Sequence, residues 1–128
     1  MPRESERISR LSDTSTTFIT AAMTYEAMKK TGEATTAYEK AFRAEMDVVN
    51  ACREEKSGLL VPHALSAGWC AWHARNPSLM KEVIDLIDTD FTETNKAIDD
   101  EVKKFRREYK KLSRSVEHGS KPAGDKAK

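Results

Sequence analysis

Apolar residues recur every three or four positions through most of this chain, which is the period of an α-helix and not of a strand. The clearest series lies near the C-terminus. Phe91, Ile98, Phe105 and Leu112 stand seven residues apart, and Asn95, Val102, Tyr109 and Val116 form a second seven-residue series offset by four. Together they draw an apolar stripe along one helix face, broken only by the polar Asn95. Met80, Val83, Ile84 and Ile87 carry an apolar face upstream, with Ile84 in phase with the stripe. Residues 77–116 therefore read in two ways. One is a continuous rod of about 60 Å at 1.5 Å per residue. The other is a pair of helices parted at Asp88-Thr89-Asp90, where Asp90 and Glu93 have the spacing of a capping box.

The N-terminal half repeats the pattern. Ile8, Leu11, Ser15, Phe18, Ala22 and Tyr25 predict a helix from Ser5 or Asp13 to Lys30, with Ile19 and Met23 widening its apolar face. The Ser/Thr-rich run from Ser12 to Thr24 is poor helix material, because a branched Cβ loses rotamer freedom. A strand over residues 16–25 is the alternative. Lys29, Lys30 and Gly32 have the character of a helix end, cations followed by a residue able to turn left-handed. A second helix is predicted from Glu33 to Lys56, capped by Thr35 or Thr36 or continuous with the first. It buries Tyr38, Ala41, Phe42, Glu45, Val48, Val49 and Cys52 and is ended by Ser57-Gly58.

Residues 59–77 differ from the rest, with one formal charge (Arg75) in the whole stretch. Pro62 suits a first helical turn, and Asn76-Pro77 ends this helix and begins the next. Leu65, Trp69 and Trp72 share one face, and Ala67, Cys70, Ala71 and Ala74 the other. A short helix apolar on both faces belongs in the centre of a fold. Trp69 and Trp72 are candidates for core residues or for a binding hot spot. The expected fold is all-α with four to five helices: an N-terminal helical hairpin, a short Trp-bearing central helix and a long C-terminal amphipathic heptad helix. Residues 1–116 form one domain, and 117–128 (EHGSKPAGDKAK) a polar tail expected to be disordered.

Composition narrows the function classes. No run of apolar residues is long enough for a membrane span. The start, MPRESERISR, has no apolar core of a signal peptide, so a cytoplasmic protein is expected. Cys52 and Cys70 are expected as buried free thiols and not as a disulfide framework. His63, Cys70 and His73 are metal-ligand types, but His63 and Cys70 lie about 10 Å apart along a helix, so no metal is expected. Cys70 sits among tryptophans and alanines, where burial raises a thiol pKa and disfavours nucleophilic use. The carboxylate pairs Glu54-Glu55, Asp88/Asp90 and Asp99-Asp100 fall beside lysines on solvent faces, away from any cleft. No two glycines lie within four residues of each other, which excludes a glycine-rich phosphate loop. An enzyme, a cofactor and a small-molecule substrate are not expected.

Charge adds the last feature. The chain is formally +1, yet residues 78–100 carry −5 and residues 101–128 carry +6. Such an order favours an antiparallel partner helix for the stripe, in this chain or in a second copy. The leading expectation is a non-catalytic helical interaction or assembly protein, a homo-oligomer or the small subunit of a larger complex. Its interface would be Ile84, Phe91, Ile98, Val102, Phe105, Tyr109 and Leu112. The alternative is a small nucleic-acid-binding protein, viral or defence-related, that binds RNA or DNA. It would use Lys103, Lys104, Arg106, Arg107, Lys110, Lys111 and Arg114. The same basic amphipathic pattern also suits a groove-binding helix or an anionic membrane surface.

Overall fold

Helical periodicity is converted into five helices and no strand among the residues that the structure, a computed structural model, describes (5–90 and 96–119). The first two, α1 (Glu6–Ala27) and α2 (Thr31–Glu55), form an antiparallel hairpin. Ile8, Ser15 and Ala22, each seven residues from the next, are buried on α1, and Leu11, Phe18 and Tyr25 flank them half-buried. Small residues at Ser15 and Ala22 let the helix axes approach closely. All seven positions predicted to face inward from α2 are buried, joined by Ala34, Ala37, Ala44 and Ala51. The threonines do not break α1. Thr14, Thr17 and Thr24 each donate a hydroxyl hydrogen bond to the carbonyl four residues back, at 3.3, 3.0 and 2.9 Å.

The central helix α3 (Leu60–His73) is shared among α2, α4 (Pro77–Asp90) and α5 (Lys96–Gly119). Ala64, Leu65, Ala67, Gly68, Cys70 and Ala71 are buried on it. The continuous rod is not formed. Instead α5 runs antiparallel to α4, with Arg106 bonded to Asp88 eighteen residues earlier, a separation of about 27 Å in one straight helix. The cover for α5 comes from α3 and α4: Val102, Phe105 and Leu112 are buried, and Ile98 and Tyr109 half-buried. Phe105 is fully buried over Gly68, where an added Cβ would lie 2.5 Å from its Cζ. Phe91, Asn95, Glu93 and the side chain of Val116 lie outside the described residues. So does the tail from 120 to 128, while α5 itself runs three residues past the predicted domain end.

Helix ends depart from the expected chemistry. The boundary predicted at Asn76-Pro77 is found, with Pro77 as first residue of α4, and Asn76 caps the helix, its Oδ1 accepting from the Leu79 amide at 3.2 Å. Ser5 caps α1, accepting from the Ile8 amide at 3.1 Å, so the earlier of the two predicted starts is correct. By contrast, α2 begins at Thr31 with no side-chain cap, and Gly32 falls inside its first turn instead of ending α1. The left-handed residues that close α1, α2 and α3 are Lys29, Lys56 and Arg75, at φ 61°, 55° and 56°. At each, the next amide reaches back to the carbonyl five residues before it: Lys30 to Tyr25, Ser57 to Cys52 and Asn76 to Ala71, at 2.8–3.0 Å. Glycine rules misplace the first two of these turns because the flanking hydrogen bonds hold a charged residue in a conformation costing about 1–2 kcal/mol, which the cation's position at the helix C-terminus partly offsets.

Two stability measurements check this account. Lys56→Gly should raise the free energy of unfolding by about 0.5–1 kcal/mol in urea titration, because glycine removes the left-handed penalty. Gly68→Ala should lower it by about 1–3 kcal/mol through overpacking against Phe105, although alanine is the better helix former by about 1 kcal/mol. A gain in stability at Gly68 would mean that the α3–α5 contact is looser than described.

Candidate functional site

Helix α5 has two unlike faces because its charged and apolar residues keep to opposite sides of the 3.6-residue turn. Opposite the buried stripe stand Lys103, Lys104, Arg107, Lys110, Lys111 and Arg114, all exposed. They span about 16 Å of helix axis. Lys103, Arg107, Lys110 and Arg114 have no carboxylate within ion-pair distance among the described residues. Lys111 meets Glu108 at 3.6 Å on the flank of the strip, and Lys104 lies 5.8 Å over the ring of Trp69. Arg106 differs from the other six. It is half-buried and holds Asp88 of α4, so it fastens α5 down and does not face outward with them. Elsewhere the predicted carboxylates are met by cations on open surface: Glu54 by Arg7 at 2.7 Å and Asp100 by Lys96 at 3.5 Å.

Six of the seven predicted interface residues pack within this chain, and Phe91 lies outside the described residues. Ile84, Val102, Phe105 and Leu112 are buried, with Ile98 and Tyr109 half-covered. Trp69 and Trp72 belong to the same interior as half-buried rings in edge-to-face contact, 5.8 Å apart. Trp69 also meets Phe105 edge-on at 5.2 Å, and its Nε1 donates to Glu101 at 2.6 Å. Trp72 leads to His73 at 5.0 Å, and His73 stacks on Tyr38 at 4.7 Å. Rings thus run from α2 through α3 to α5.

A polar cluster that sequence patterning did not single out lies between α2 and α3. Glu45 is only 5% exposed. Its Oε1 is 2.9 Å from His63 Nδ1, and its Oε2 accepts from Ser66 Oγ at 2.5 Å. The one available signal was an acidic residue on an otherwise apolar helix face. Both partners bond to the carboxylate, so His63 does not stand between it and the hydroxyl as a nucleophilic relay requires. The arrangement pins α3 to α2 and satisfies a buried charge. Nearby, Cys70 is a free thiol pushed up to about 12, by burial first and then by the charge of Glu45, which suppresses the thiolate that nucleophilic chemistry needs. Cys52 is also free and buried. The Tyr38 hydroxyl, donating to Glu26 at 2.7 Å, is held well above its usual range by burial and by that carboxylate. His63 and His73 point to different partners, Glu45 and Glu26. Among the described residues no three His, Cys, Asp or Glu side chains gather as a metal ion would need, and no helix is long and apolar enough to cross a membrane.

One cleft adjoins these groups. It opens over α3 between α1 and α5, has a volume of about 530 Å³, and is bordered by Trp69, Glu26 and Glu101.

No family model, curated protein or solved structure matches this chain.

Removing the buried carboxylate should be costly. Glu45→Ala leaves Ser66 without its acceptor and His63 without this partner, and is expected to lower stability by about 2–4 kcal/mol in urea unfolding at neutral pH. A change below about 0.5 kcal/mol, the range of ordinary surface substitutions, would show that the cluster does not hold α3 to α2.

Proposed function

We propose that this is a non-catalytic binding protein whose working surface is the outer face of α5, and that its partner is the phosphate backbone of RNA or DNA. One observation carries the reading: six exposed cations on a single helix face, five of them (all but Lys111) without a carboxylate partner among the described residues. Unpaired cations in a row hold counterions away from bulk solution, and a polyanion that displaces its own counterions to meet them gains the free energy of their release. Their axial span of about 16 Å matches roughly five nucleotides of one strand at 3.4 Å each. The apolar stripe supports the reading indirectly. With Val102, Phe105 and Leu112 spent on α3 and α4, the outward character of α5 is set by its lysines and arginines.

The assembly reading keeps one observation in its favour. Ile98 and Tyr109 of the stripe stay half-exposed, and a second copy or a partner helix laid antiparallel would finish their burial.

Binding to a short RNA or DNA duplex, measured across salt concentrations, separates the two. Nucleic-acid binding predicts a log K against log salt slope of about −4 to −5 for four to six phosphate contacts. Changing Lys103, Arg107, Lys110 and Arg114 together to alanine should flatten that slope by about 3–4 and leave the helical circular dichroism intact. Arg106 is left in place because it holds α4. No binding at low salt, or binding that survives the four changes, overturns the proposal. Light scattering of nuclease-treated protein then reads the assembly state directly.

A further inference from the structure

The cleft between α1 and α5 is where the chain leaves its own apolar pattern uncovered. Periodicity predicts Ile19 and Met23 as part of the buried face of α1, yet Ile19 is half-buried and Met23 is 58% exposed, and both line this cleft. The reason is geometric. The floor is α3, which both α1 and α5 border, and these two helices do not close over it. Leu65 and Trp69 continue the apolar lining across the floor. At about 530 Å³ the space falls within the range of sites for small organic molecules.

Carboxylates dominate the polar lining of the cleft, whose other polar side chains include those of Tyr38, Ser66 and His73. Two carboxylates, Glu26 and Glu101, border it, and no lysine or arginine is among the residues lining it. Neither carboxylate is loose. Glu26 accepts from the Tyr38 hydroxyl at 2.7 Å with His73 Nδ1 3.7 Å from its other oxygen. Glu101 is held through one oxygen by Trp69 Nε1 at 2.6 Å, and its second oxygen has no partner among the described residues. A carboxylate fixed by a neutral donor keeps its full charge and loses little freedom on meeting a cation. The Trp69 ring already has Lys104 Nζ 5.8 Å from its centroid, so the attraction for a cation here comes from the two carboxylates.

We propose that this cleft binds a small hydrophobic amine: a protonated nitrogen against Glu101 or Glu26, with an apolar body over Ile19, Met23, Leu65 and Trp69. The charge complementarity selects against organic acids, and the apolar walls against inorganic cations. The cleft meets the basic face of α5 only where Lys104 lies over Trp69, and the variants that test it leave the strip unchanged, so its success or failure is read separately from the nucleic-acid reading.

The test uses the full chain and three probes of one shape, 2-phenylethylamine, 2-phenylethanol and 3-phenylpropanoate. Titration is followed by NMR shifts of the Trp69 indole N–H and the Met23 methyl. The amine should saturate both signals and bind at least tenfold tighter than the alcohol, with the acid weakest. Glu26→Gln and Glu101→Gln should each weaken the amine several-fold and together remove its advantage over the alcohol, with alcohol binding unchanged. The inference is overturned by an amine that gives no saturable shift or binds no better than the alcohol. It is equally overturned by an amine advantage that persists in the double variant. The wild-type comparison of the three probes decides the matter even where a variant folds poorly.

Discussion

The contact on which the rest of the structure depends is the ring of Phe105 lying on the backbone of Gly68. Without a side chain at Gly68, α5 approaches α3 closely enough for an aromatic ring to fill the gap, and any Cβ there would meet the ring at 2.5 Å. That approach sets Trp69 edge-on to Phe105 and within hydrogen-bonding reach of Glu101. It also fixes which side of α5 faces outward. Once Phe105, Val102 and Leu112 are turned inward, the period of the helix leaves Lys103, Arg107, Lys110 and Arg114 no position except the surface. The basic strip follows from one missing side chain two helices away.

Much of this was legible in the chain itself. The inward faces of α1 and α2 follow from spacing alone, because burial of apolar area dominates and a helix has one way to present a 3-4 pattern to a neighbour. Asn76-Pro77 marked a true boundary, since a local cap and a fixed φ act through adjacent residues. What escaped depends on tertiary context. The break between α4 and α5 is one of two readings that residues 77–116 allow, and the phase of Ile84 with the later stripe does not choose between them, because phase does not reveal where a chain turns back. Met23 fits the apolar period of α1 but faces a cleft that exists only because α1 and α5 stand apart. Lys29 and Lys56 occupy left-handed positions that residue preference assigns to the nearby Gly32 and Gly58, and Arg75 occupies a third just before Asn76-Pro77. The basic strip was readable as composition, but its separation from Arg106 needed the position of Asp88.

The polar interior and the charged exterior make different contributions. Glu45, His63 and Ser66 are a costly arrangement to bury, and leaving any member unpaired is costlier still, so they fix how α3 lies against α2 more than they add net stability. The pair of Asp88 and Arg106 is the one place where the acidic and basic halves of the C-terminal region meet across helices among the described residues. The opposed charges along the sequence are therefore realised as an antiparallel turn within one chain, with most of the cations left over and facing water.

The order of helix contacts has a kinetic meaning. Every strong helix pairing joins neighbours in sequence except α3 with α5. Contacts of short sequence separation cost little loop-closure entropy, and chains built from them cross their folding barrier quickly. In this chain the hairpin of α1 and α2 and the pairing of α3 with it can form from adjacent segments alone. The ring of Phe105 on Gly68 then joins α5 to α3, the one strong pairing that skips a helix among the described residues. The orientation of the surface that carries the lysines and arginines therefore depends on a contact that local helix pairing does not supply.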